Sequence, residues 1–236
     1  ITYRRRINMF KVPKFFWISY VIEDLAGGEI LKKRGALDMR RQIEILVIDD
    51  EVFTVGKKLE ANNFRLTYKK DIGNVKDVSE YQIILCDIKG VGVELDSKYE
   101  GAFIIKEIKV NYPTKQVVAY TGSNYDASYN DYLCYADEIV KKGLDAEEWI
   151  DILDEEINKC VDPMYQWKKV RSKLLENGTS ILDVAKLESA YVSAVKKRSF
   201  DSFEKLANQM SPQGSQFIKE LLSSAAISVV LKGVGL

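Results

Sequence analysis

The sequence predicts an α/β protein in which five parallel strands, with helices on both faces, form a doubly wound sheet. Three observations predict this class. Short apolar runs begin at residue 43, they alternate with helical segments up to residue 159, and no β-rich run recurs after residue 163. Such alternation is typical of a parallel sheet, because helices cover both of its faces. The remainder is then an N-terminal extension and a C-terminal all-helical segment.

Each predicted strand is a short apolar run bounded by turn or helix signals. The predicted strands span residues 43–48, 64–68, 82–86, 116–120 and 138–141. The predicted helices span residues 51–62, 74–79, 102–111, 124–135 and 145–159. Five strands that alternate with five helices fit successive βαβ units, which place all the strands in one sheet.

The 236 residues are enough for one large domain, or for one domain with an appended module. We expect three parts, an N-terminal extension (1–40), an α/β domain (41–160) and a helical C-terminal module (161–236). The extension holds a basic cluster at residues 4–6 and an aromatic run at residues 15–22. Such a cluster can bind a phosphate backbone or an anionic membrane. We favour a solvated terminus whose aromatic residues pack on a neighbouring domain.

Three serines mark helix starts in the C-terminal module. Ser180 begins a segment that resembles a capping box, Ser199 precedes a helical pattern at residues 200–210, and Ser211 caps a last helix that has proline in its first turn. This last helix is so apolar between residues 217 and 231 that it requires burial in a core or an interface. We therefore expect a partner-binding module or a homo-oligomer formed through the C-terminal helices.

Composition excludes several classes of function. Lysine plus arginine equals aspartate plus glutamate at 35 each, so the chain lacks the net charge of a nucleic-acid or membrane-surface binder. The sequence contains no histidine, which rules out catalytic triads, histidine metal sites and a phosphohistidine on this chain. Three cysteines without CxxC spacing favour reduced thiols and a cytoplasmic location. The apolar run at residues 15–22 is shorter than the ~20 residues of a membrane-spanning helix.

Carboxylates follow two of the predicted strands. Asp49, Asp50 and Glu51 come directly after the first strand, and Asp87 comes directly after the third. An open parallel sheet binds its ligands at the carboxyl ends of its strands, where neighbouring strands bring these acids together. Clustered like charges repel unless a cation holds them ionised, and ligands that are all oxygen suit Mg²⁺. The sequence therefore predicts a magnesium site at this edge.

A hydroxyl and an ammonium group follow the other two strands that bear on this edge. Thr121 follows the fourth strand, and Lys141 and Lys142 end the fifth. Strand alternation lets only one of these two lysines point at the acids. A hydroxyl and an ammonium can neutralise the oxygens of a phosphorylated carboxylate, which indicates phosphoryl-transfer chemistry rather than metal binding alone.

Four segments together resemble the receiver domain of bacterial response regulators, over about half the chain. They are residues 45–51 (ILVIDDE), 84–87 (ILCD), 118–122 (VAYTG) and 136–143 (ADEIVKKG). The resemblance rests on their order and on their placement at strand ends, since any one alone is a weak signal. It implies a flavodoxin-like doubly wound fold and signalling by phosphorylation.

The resemblance also implies a role for individual residues. It makes Asp87 the phosphoacceptor, places Asp50 in direct contact with Mg²⁺, and has Asp49 act on the metal through water. The backbone carbonyl of Lys89 would be a further metal ligand. Thr121 would be the switch hydroxyl that moves toward the phosphoryl group.

Lys142 would be the lysine that pairs with the phosphoryl group, with Lys141 as the alternative. Three departures from the family pattern concern the metal loop and the switch. The loop from residue 88 to Gly101 is several residues longer than usual, Ile139 stands where an aromatic residue is usual, and Gly143 stands where proline is usual. We therefore expect an altered metal loop and an altered or lost switch.

Together with these residues, the resemblance implies a response-regulator-like signalling protein in a two-component phosphorelay. Its partner would be a histidine kinase, a phosphotransfer protein or another protein subunit, and its chemistry would be limited to Mg²⁺-assisted self-phosphorylation and dephosphorylation. The alternative is a pseudo-receiver that keeps the acids without being phosphorylated and serves as a scaffold or interaction subunit of a larger complex.

Other interpretations of the same residues remain open at this point. Acids after a strand also favour the positive end of a following helix, with no metal. A nuclease or primase-like α/β domain also groups acids around Mg²⁺, but it does not call for a lysine at the end of the fifth strand. Scattered basic residues in the C-terminal module, such as those at 196–198, fit a solvated face better than a DNA-binding face.

Overall fold

The computed structural model describes residues 20–26, 36–95, 98–122 and 127–232. Most of the predicted N-terminal extension, including its basic cluster, lies outside the described residues. The described part of it contains a 3-10 helix (Ile22–Leu25) and helix α1 (Ala36–Arg40). Ile22 is buried in the core formed by the C-terminal helices.

Five parallel strands form one sheet, as predicted. The strands are β1 (Glu44–Ile48), β2 (Arg65–Lys69), β3 (Ile83–Asp87), β4 (Gln116–Thr121) and β5 (Glu138–Lys141). Their order is β2-β1-β3-β4-β5, and every neighbouring pair is parallel. This order makes β1, β3 and β4 the interior strands, so their carboxyl ends meet at one edge of the sheet.

Helices cover both faces of the sheet. They are α2 (Gly56–Ala61), α3 (Glu100–Asn111), α4 (Asn130–Leu133) and α5 (Ala146–Val161), with 3-10 helices at Val75–Val78 and Ala127–Tyr129. One face packs on α2 and α5, through residues such as Val47, Leu85 and Val118. The other face packs on α3 and α4, through residues such as Ile48, Ile84 and Ala119.

Three of the predicted helices differ from the structure. The helix predicted at 51–62 begins only at Gly56, because the backbone N–H of Glu51 donates to the Asp49 carboxylate (2.9 Å) and the chain loops around the acids first. The helix predicted at 74–79 is the 3-10 helix Val75–Val78, capped by the side chain of Asn74. The predicted segment 124–135 is a 3-10 turn followed by the short α4, and residues 123–126 lie outside the described part.

The C-terminal module is helical, as predicted. Its helices are α6 (Pro163–Glu176), α7 (Ile181–Lys197), α8 (Asp201–Ala207), α9 (Pro212–Leu222) and α10 (Ala225–Lys232). Ser180 and Ser211 cap α7 and α9, each accepting a backbone N–H three residues on. Ser199 caps no helix, since Phe200 occupies the N-cap of α8. Among residues 20–26, 36–95, 98–122 and 127–232, no helix combines the length and the hydropathy that a membrane span requires.

The apolar stretch at residues 217–231 forms two helices rather than one, because a turn at Ser223 and Ser224 separates α9 from α10. Most of its large side chains are buried among the helices of the module, and Val229 enters the core between α5 and the sheet. Helix α10 packs against both α5 and α6. This stretch is therefore largely covered within the chain itself, and a homo-oligomer stays a prediction.

A largely buried ionic cluster joins the module to the sheet. The Asp137 carboxylate, just before β5, accepts hydrogen bonds from Lys109 Nζ of α3 (2.8 Å) and forms an ion pair with Lys169 Nζ of α6 (2.9 Å). Its side chain is only 10% exposed. Burial opposes ionisation, but the two ammonium groups hold the pKa of Asp137 below its ordinary value. Asp137 therefore links α3, on one face of the sheet, to α6 of the C-terminal module by electrostatic attraction.

A second polar contact joins α9 to the turn that precedes β4. The Glu220 carboxylate accepts the side-chain hydroxyl (2.6 Å) and the backbone N–H (3.2 Å) of Thr114. Burial is the largest influence on this carboxyl, ahead of the opposing hydrogen bond from Thr114, and it raises the pKa of Glu220 to about 7 from an ordinary value of 4.5. The folded state therefore prefers the protonated form.

We expect the free energy of unfolding to fall by about 3 kcal/mol as pH rises from about 4.5 to about 7, because each pKa unit corresponds to ~1.4 kcal/mol. The direction of this change follows from the raised pKa of Glu220. The stabilisation that Glu220 contributes is complete at pH values below the pKa of the unfolded state, and it is lost as pH rises through the pKa of the folded state. Glu220→Gln should remove this decline, and urea unfolding at a series of pH values measures it.

The matched control for this pH experiment is Glu204→Gln, which changes an exposed glutamate in α8. It should leave the pH dependence of the native chain intact. A Glu220→Gln variant that still loses stability over the same interval would show that another group is responsible.

Candidate functional site

Three carboxylates meet at the carboxyl edge of the sheet. Ile48 pairs with Cys86 across β1 and β3, so the residues that follow them emerge side by side. Oxygens of Asp49, Asp50 and Asp87 all lie within 4.8 Å of one another. The structure thus brings together the three acids that the sequence singled out.

Asp87 ends β3 and is almost fully buried, with a side chain that is 2% exposed. Its Oδ1 accepts the backbone N–H groups of Ile88 (2.7 Å) and Lys89 (3.3 Å), and its Oδ2 accepts Lys142 Nζ (2.5 Å). Burial raises the pKa of Asp87 above its ordinary value, Lys142 opposes this rise, and the Asp49 charge adds to it. The carboxylate is thereby fixed in orientation and has one cation beside it.

Lys142 is the lysine that reaches the acids. It follows β5, and its ammonium lies 3.8 Å from Asp49 Oδ1 as well as in contact with Asp87. Burial lowers the pKa of Lys142, but the hydrogen bond and charge of Asp87 outweigh that and hold it above the ordinary lysine value. The alternative, Lys141, ends β5 with an exposed side chain.

Asp49 and Asp50 differ in environment although they are adjacent. Asp49 is buried, and its Oδ2 accepts the hydroxyl of Tyr120 (2.7 Å). Asp50 is exposed and lies against Gly90, where a Cβ would collide with its carboxylate. Gly90 has a φ of +77°. The glycine therefore makes room for Asp50 at the mouth of the site.

Lys89 and Thr121 lie beside the acids, but their predicted roles stay predictions. The N–H of Lys89 contacts Asp87, while its ammonium binds Glu100 (2.9 Å) and the hydroxyl of Tyr129 (3.0 Å). Thr121 is buried at the end of β4, and its carbonyl accepts the N–H of Lys142 (2.7 Å). This backbone bond places the ends of β4 and β5 beside each other.

Two contacts that the sequence did not predict hold the loop after β3 in place. The Asp71 carboxylate accepts the N–H groups of Gly92 (2.7 Å) and Glu94 (3.1 Å). Gly101 approaches the carbonyl of Asp87 so closely that any Cβ would overlap it. The only sequence signal for the second contact was a glycine directly before the helix predicted at residues 102–111, and nothing in the local pattern marked Asp71.

Tyr120 is the site residue that the sequence analysis missed. Its ring packs on Phe53 and Trp149, with centroids 5.6 Å and 5.8 Å away, and its hydroxyl contacts Asp49. Burial raises the pKa of Tyr120 far above its ordinary value, and the hydrogen bond to Asp49 raises it further. The sequence signal for this position was the alternation of side chains along a strand. Tyr120 lies two residues after Val118, so both side chains face α5.

The donor set fits a hard divalent cation. Within the described residues, these three carboxylates form an acidic group whose oxygens lie close enough together to hold a metal ion. Oxygen ligands with one exposed member suit Mg²⁺, which keeps several of its waters when bound by proteins. The space that Gly90 leaves for the Asp50 carboxylate is consistent with this use. Asp49, Asp50 and Asp87 are thus the side chains that would hold the ion.

Gly90→Ala should weaken Mn²⁺ binding on the order of tenfold, because the new Cβ displaces the Asp50 carboxylate from the site. Mn²⁺ serves as the probe because its binding can be followed by electron paramagnetic resonance. The matched control is Gly178→Ala, which also places alanine at positive φ (+80°) but meets no atom. Equal Mn²⁺ affinity in the two variants would contradict the role given to Gly90.

Comparison with known proteins finds structural resemblance but no close relative in sequence. No protein-family model and no curated protein matches the chain. Solved structures that resemble it include a receiver domain from Methanospirillum hungatei (17% identity, 50% of this chain, 94% of that chain, TM-score 0.42). A receiver domain from Clostridium thermocellum (22%, 50%, 95%, 0.41) and that of NtrX from Brucella abortus (20%, 48%, 98%, 0.40) are similar.

Proposed function

We propose that this chain is a response-regulator-like signalling protein that accepts a phosphoryl group on Asp87 with Mg²⁺ and thereby controls its helical module. The observation that carries the proposal is the convergence of three carboxylates at one sheet edge with the ammonium of Lys142 on Asp87. Surface acids and structural helix-start acids do not require a half-buried lysine among them.

Asp87 is the nucleophile of the proposed reaction. One of its carboxylate oxygens attacks the phosphorus of the donor, a P–O bond to Asp87 forms, and the bond from phosphorus to the leaving group breaks with its electron pair. The backbone N–H groups of Ile88 and Lys89 hold one oxygen of Asp87. This fixed orientation favours attack because the carboxylate does not have to be ordered at the time of reaction.

Bound Mg²⁺ would supply positive charge for the phosphoryl oxygens and offset the repulsion among the three acids. Asp50, exposed at the mouth, and Asp87 would hold it directly, and the buried Asp49 would act through a metal-bound water. The carbonyl of Lys89 is a further proposed ligand.

Lys142 neutralises charge once the phosphoryl group has been transferred. Its ammonium now pairs with Asp87 and lies near Asp49, so it can follow the negative charge outward onto the phosphoryl oxygens without leaving the site. Thr121, at the neighbouring strand end, is the proposed hydroxyl donor to the same oxygens. Dephosphorylation by water would complete a self-limited cycle, and we propose no other catalysis.

The phosphoryl donor has to come from another molecule. The chain has no histidine, so a phosphohistidine must be carried by a partner such as a histidine kinase or a phosphotransfer protein. A small phosphodonor would need no such partner, and it allows the chemistry to be tested with the purified chain.

The proposed output runs through α5. Trp149 of α5 lines a cavity of about 160 Å³ together with Asp49, Tyr120 and Lys142. Further along the same helix, Ile157 and Cys160 share a core with Val229 of α10. A change at the acids can therefore reach the C-terminal helices through one continuous packed element.

A scaffold without phosphorylation is the alternative, and the ionic cluster around Asp137 favours it. The Lys109–Asp137–Lys169 contacts fix α6 to the sheet through largely buried charges, which suits a single rigid body. The exposed Ile139 at the position of the usual switch aromatic fits the same alternative.

Incubation with acetyl phosphate and Mg²⁺ distinguishes the two functions. If Asp87 is phosphorylated, we expect a covalent phosphoryl label that is labile in alkali, as acyl phosphates are, and that depends on Mg²⁺. A chain that stays unlabelled while native and folded would support the scaffold and overturn phosphorylation.

A further inference from the structure

The packing of the Tyr120 ring does not explain why this residue carries a hydroxyl group. The ring fills space between Phe53 and Trp149, and phenylalanine would fill the same space. The residue is 2% exposed, so an unpartnered hydroxyl would be costly there. Instead the hydroxyl donates to Asp49 Oδ2 at 2.7 Å.

We propose that Tyr120 is a positioning residue for the metal site, whose hydroxyl holds the Asp49 carboxylate in the orientation that Mg²⁺ and its waters require. This inference rests on the proposed function of the same site. It assigns a role in metal binding to a residue of β4 that touches no reacting atom.

Both oxygens of Asp49 are restrained by donors. Oδ2 accepts the Tyr120 hydroxyl, and Oδ1 accepts the backbone N–H of Glu51 at 2.9 Å. Two donors on opposite oxygens fix the plane of a carboxylate, whereas one donor leaves it free to rotate about that bond. Each oxygen still has lone pairs for a metal-bound water.

The aromatic packing makes this restraint rigid. Tyr120 meets Trp149 of α5 edge-on (88° between ring planes), and Phe53 packs against both rings. The hydroxyl therefore cannot follow Asp49 if the carboxylate turns. Hydrogen-bond partners behind a metal ligand tune affinity in this way, and their loss typically costs 10- to 100-fold in binding.

Mn²⁺ titration of the native chain and of Tyr120→Phe tests the proposal. We expect the variant to bind Mn²⁺ about tenfold more weakly. The matched control is Tyr191→Phe, which also removes a buried hydroxyl, one that donates to the Pro163 carbonyl at 2.9 Å in the C-terminal core. The control should bind Mn²⁺ like the native chain.

Thermal unfolding without and with Mn²⁺ separates positioning from a merely structural role. Both variants lose a buried hydrogen bond and should melt earlier without metal, but only Tyr120→Phe should also lose part of the stabilisation that Mn²⁺ adds. Affinity within twofold of native in Tyr120→Phe, or equal weakening in both variants, would overturn the inference and leave the proposed function standing. A native chain that binds no Mn²⁺ would overturn both.

Discussion

Asp87→Asn should abolish saturable binding of beryllofluoride in the presence of Mg²⁺. Beryllofluoride mimics a phosphoryl group by bonding to a carboxylate oxygen, and Asp87 is the carboxylate that both Lys142 and two backbone N–H groups face. Asparagine keeps the size but removes the charge and one coordinating oxygen. Fluorine nuclear magnetic resonance or isothermal calorimetry measures the loss.

Glu51→Gln is the matched control for the beryllofluoride experiment. Glu51 lies at the same mouth, with its carboxylate 3.9 Å from Lys142 Nζ, but its side chain is 78% exposed. Its removal should leave saturable binding in place with at most a small change in affinity. Persistent binding in Asp87→Asn would mean that another carboxylate is the acceptor.

Asp137→Asn should lower the free energy of unfolding by about 3 kcal/mol or more at pH 7, because removing one partner of a buried ion pair costs roughly 3–5 kcal/mol. It leaves the ammonium groups of Lys109 and Lys169 facing each other with only carbonyl and amide oxygens as partners. Burial and the nearby Lys169 already hold the pKa of Lys109 well below its ordinary value. Urea unfolding followed by circular dichroism measures the loss.

The pH dependence of this loss follows from the lowered pKa of Asp137. Its contribution is present above the unfolded aspartate value and disappears as pH falls through the lower folded value, so native and variant chains should converge in strong acid. Asp151→Asn, an exposed position on α5, is the control and should change little. A loss below about 1 kcal/mol at pH 7 would show that Asp137 does not anchor the module.

The sheet was predictable because its strands carry the strongest local signal. Between their terminal residues, the interior strands β1, β3 and β4 are apolar and buried on both faces, and each ends at a polar residue or directly before one. The same boundary marks the site, because Asp49, Asp87 and Thr121 stand at those strand ends. Fold and candidate site were thus specified by the same few residues.

The helices next to the site were less predictable because tertiary contacts override local propensity there. Residues 51–55 have a helix-compatible pattern, yet the Asp49 carboxylate accepts the N–H of Glu51 and α2 begins only at Gly56. Likewise, Asp71 contacts Gly92 and Glu94 across more than twenty residues. No local pattern encodes such long-range hydrogen bonds.

The roles of Tyr120 and Asp137 were hidden for a related reason. In the sequence, Tyr120 looks like one more apolar residue of a strand. Its hydroxyl has a partner only because the fold places Asp49, at the end of β1, beside it. In the sequence, Asp137 has the pattern of a turn residue. Its charge forms a buried ion pair only because the fold places Lys169 of α6 beside it. Both residues depend on partners that lie far apart in the sequence.

Locating the phosphoryl group on the chain tests whether Asp87 is the phosphoacceptor. The native chain is incubated with acetyl phosphate and Mg²⁺, reduced with borohydride to trap an acyl phosphate as homoserine, digested, and sequenced by mass spectrometry. We expect homoserine at position 87 and no trapping when Mg²⁺ is withheld. Trapping at another acid, or none under conditions where the chain remains folded, would show that Asp87 is not the phosphoacceptor.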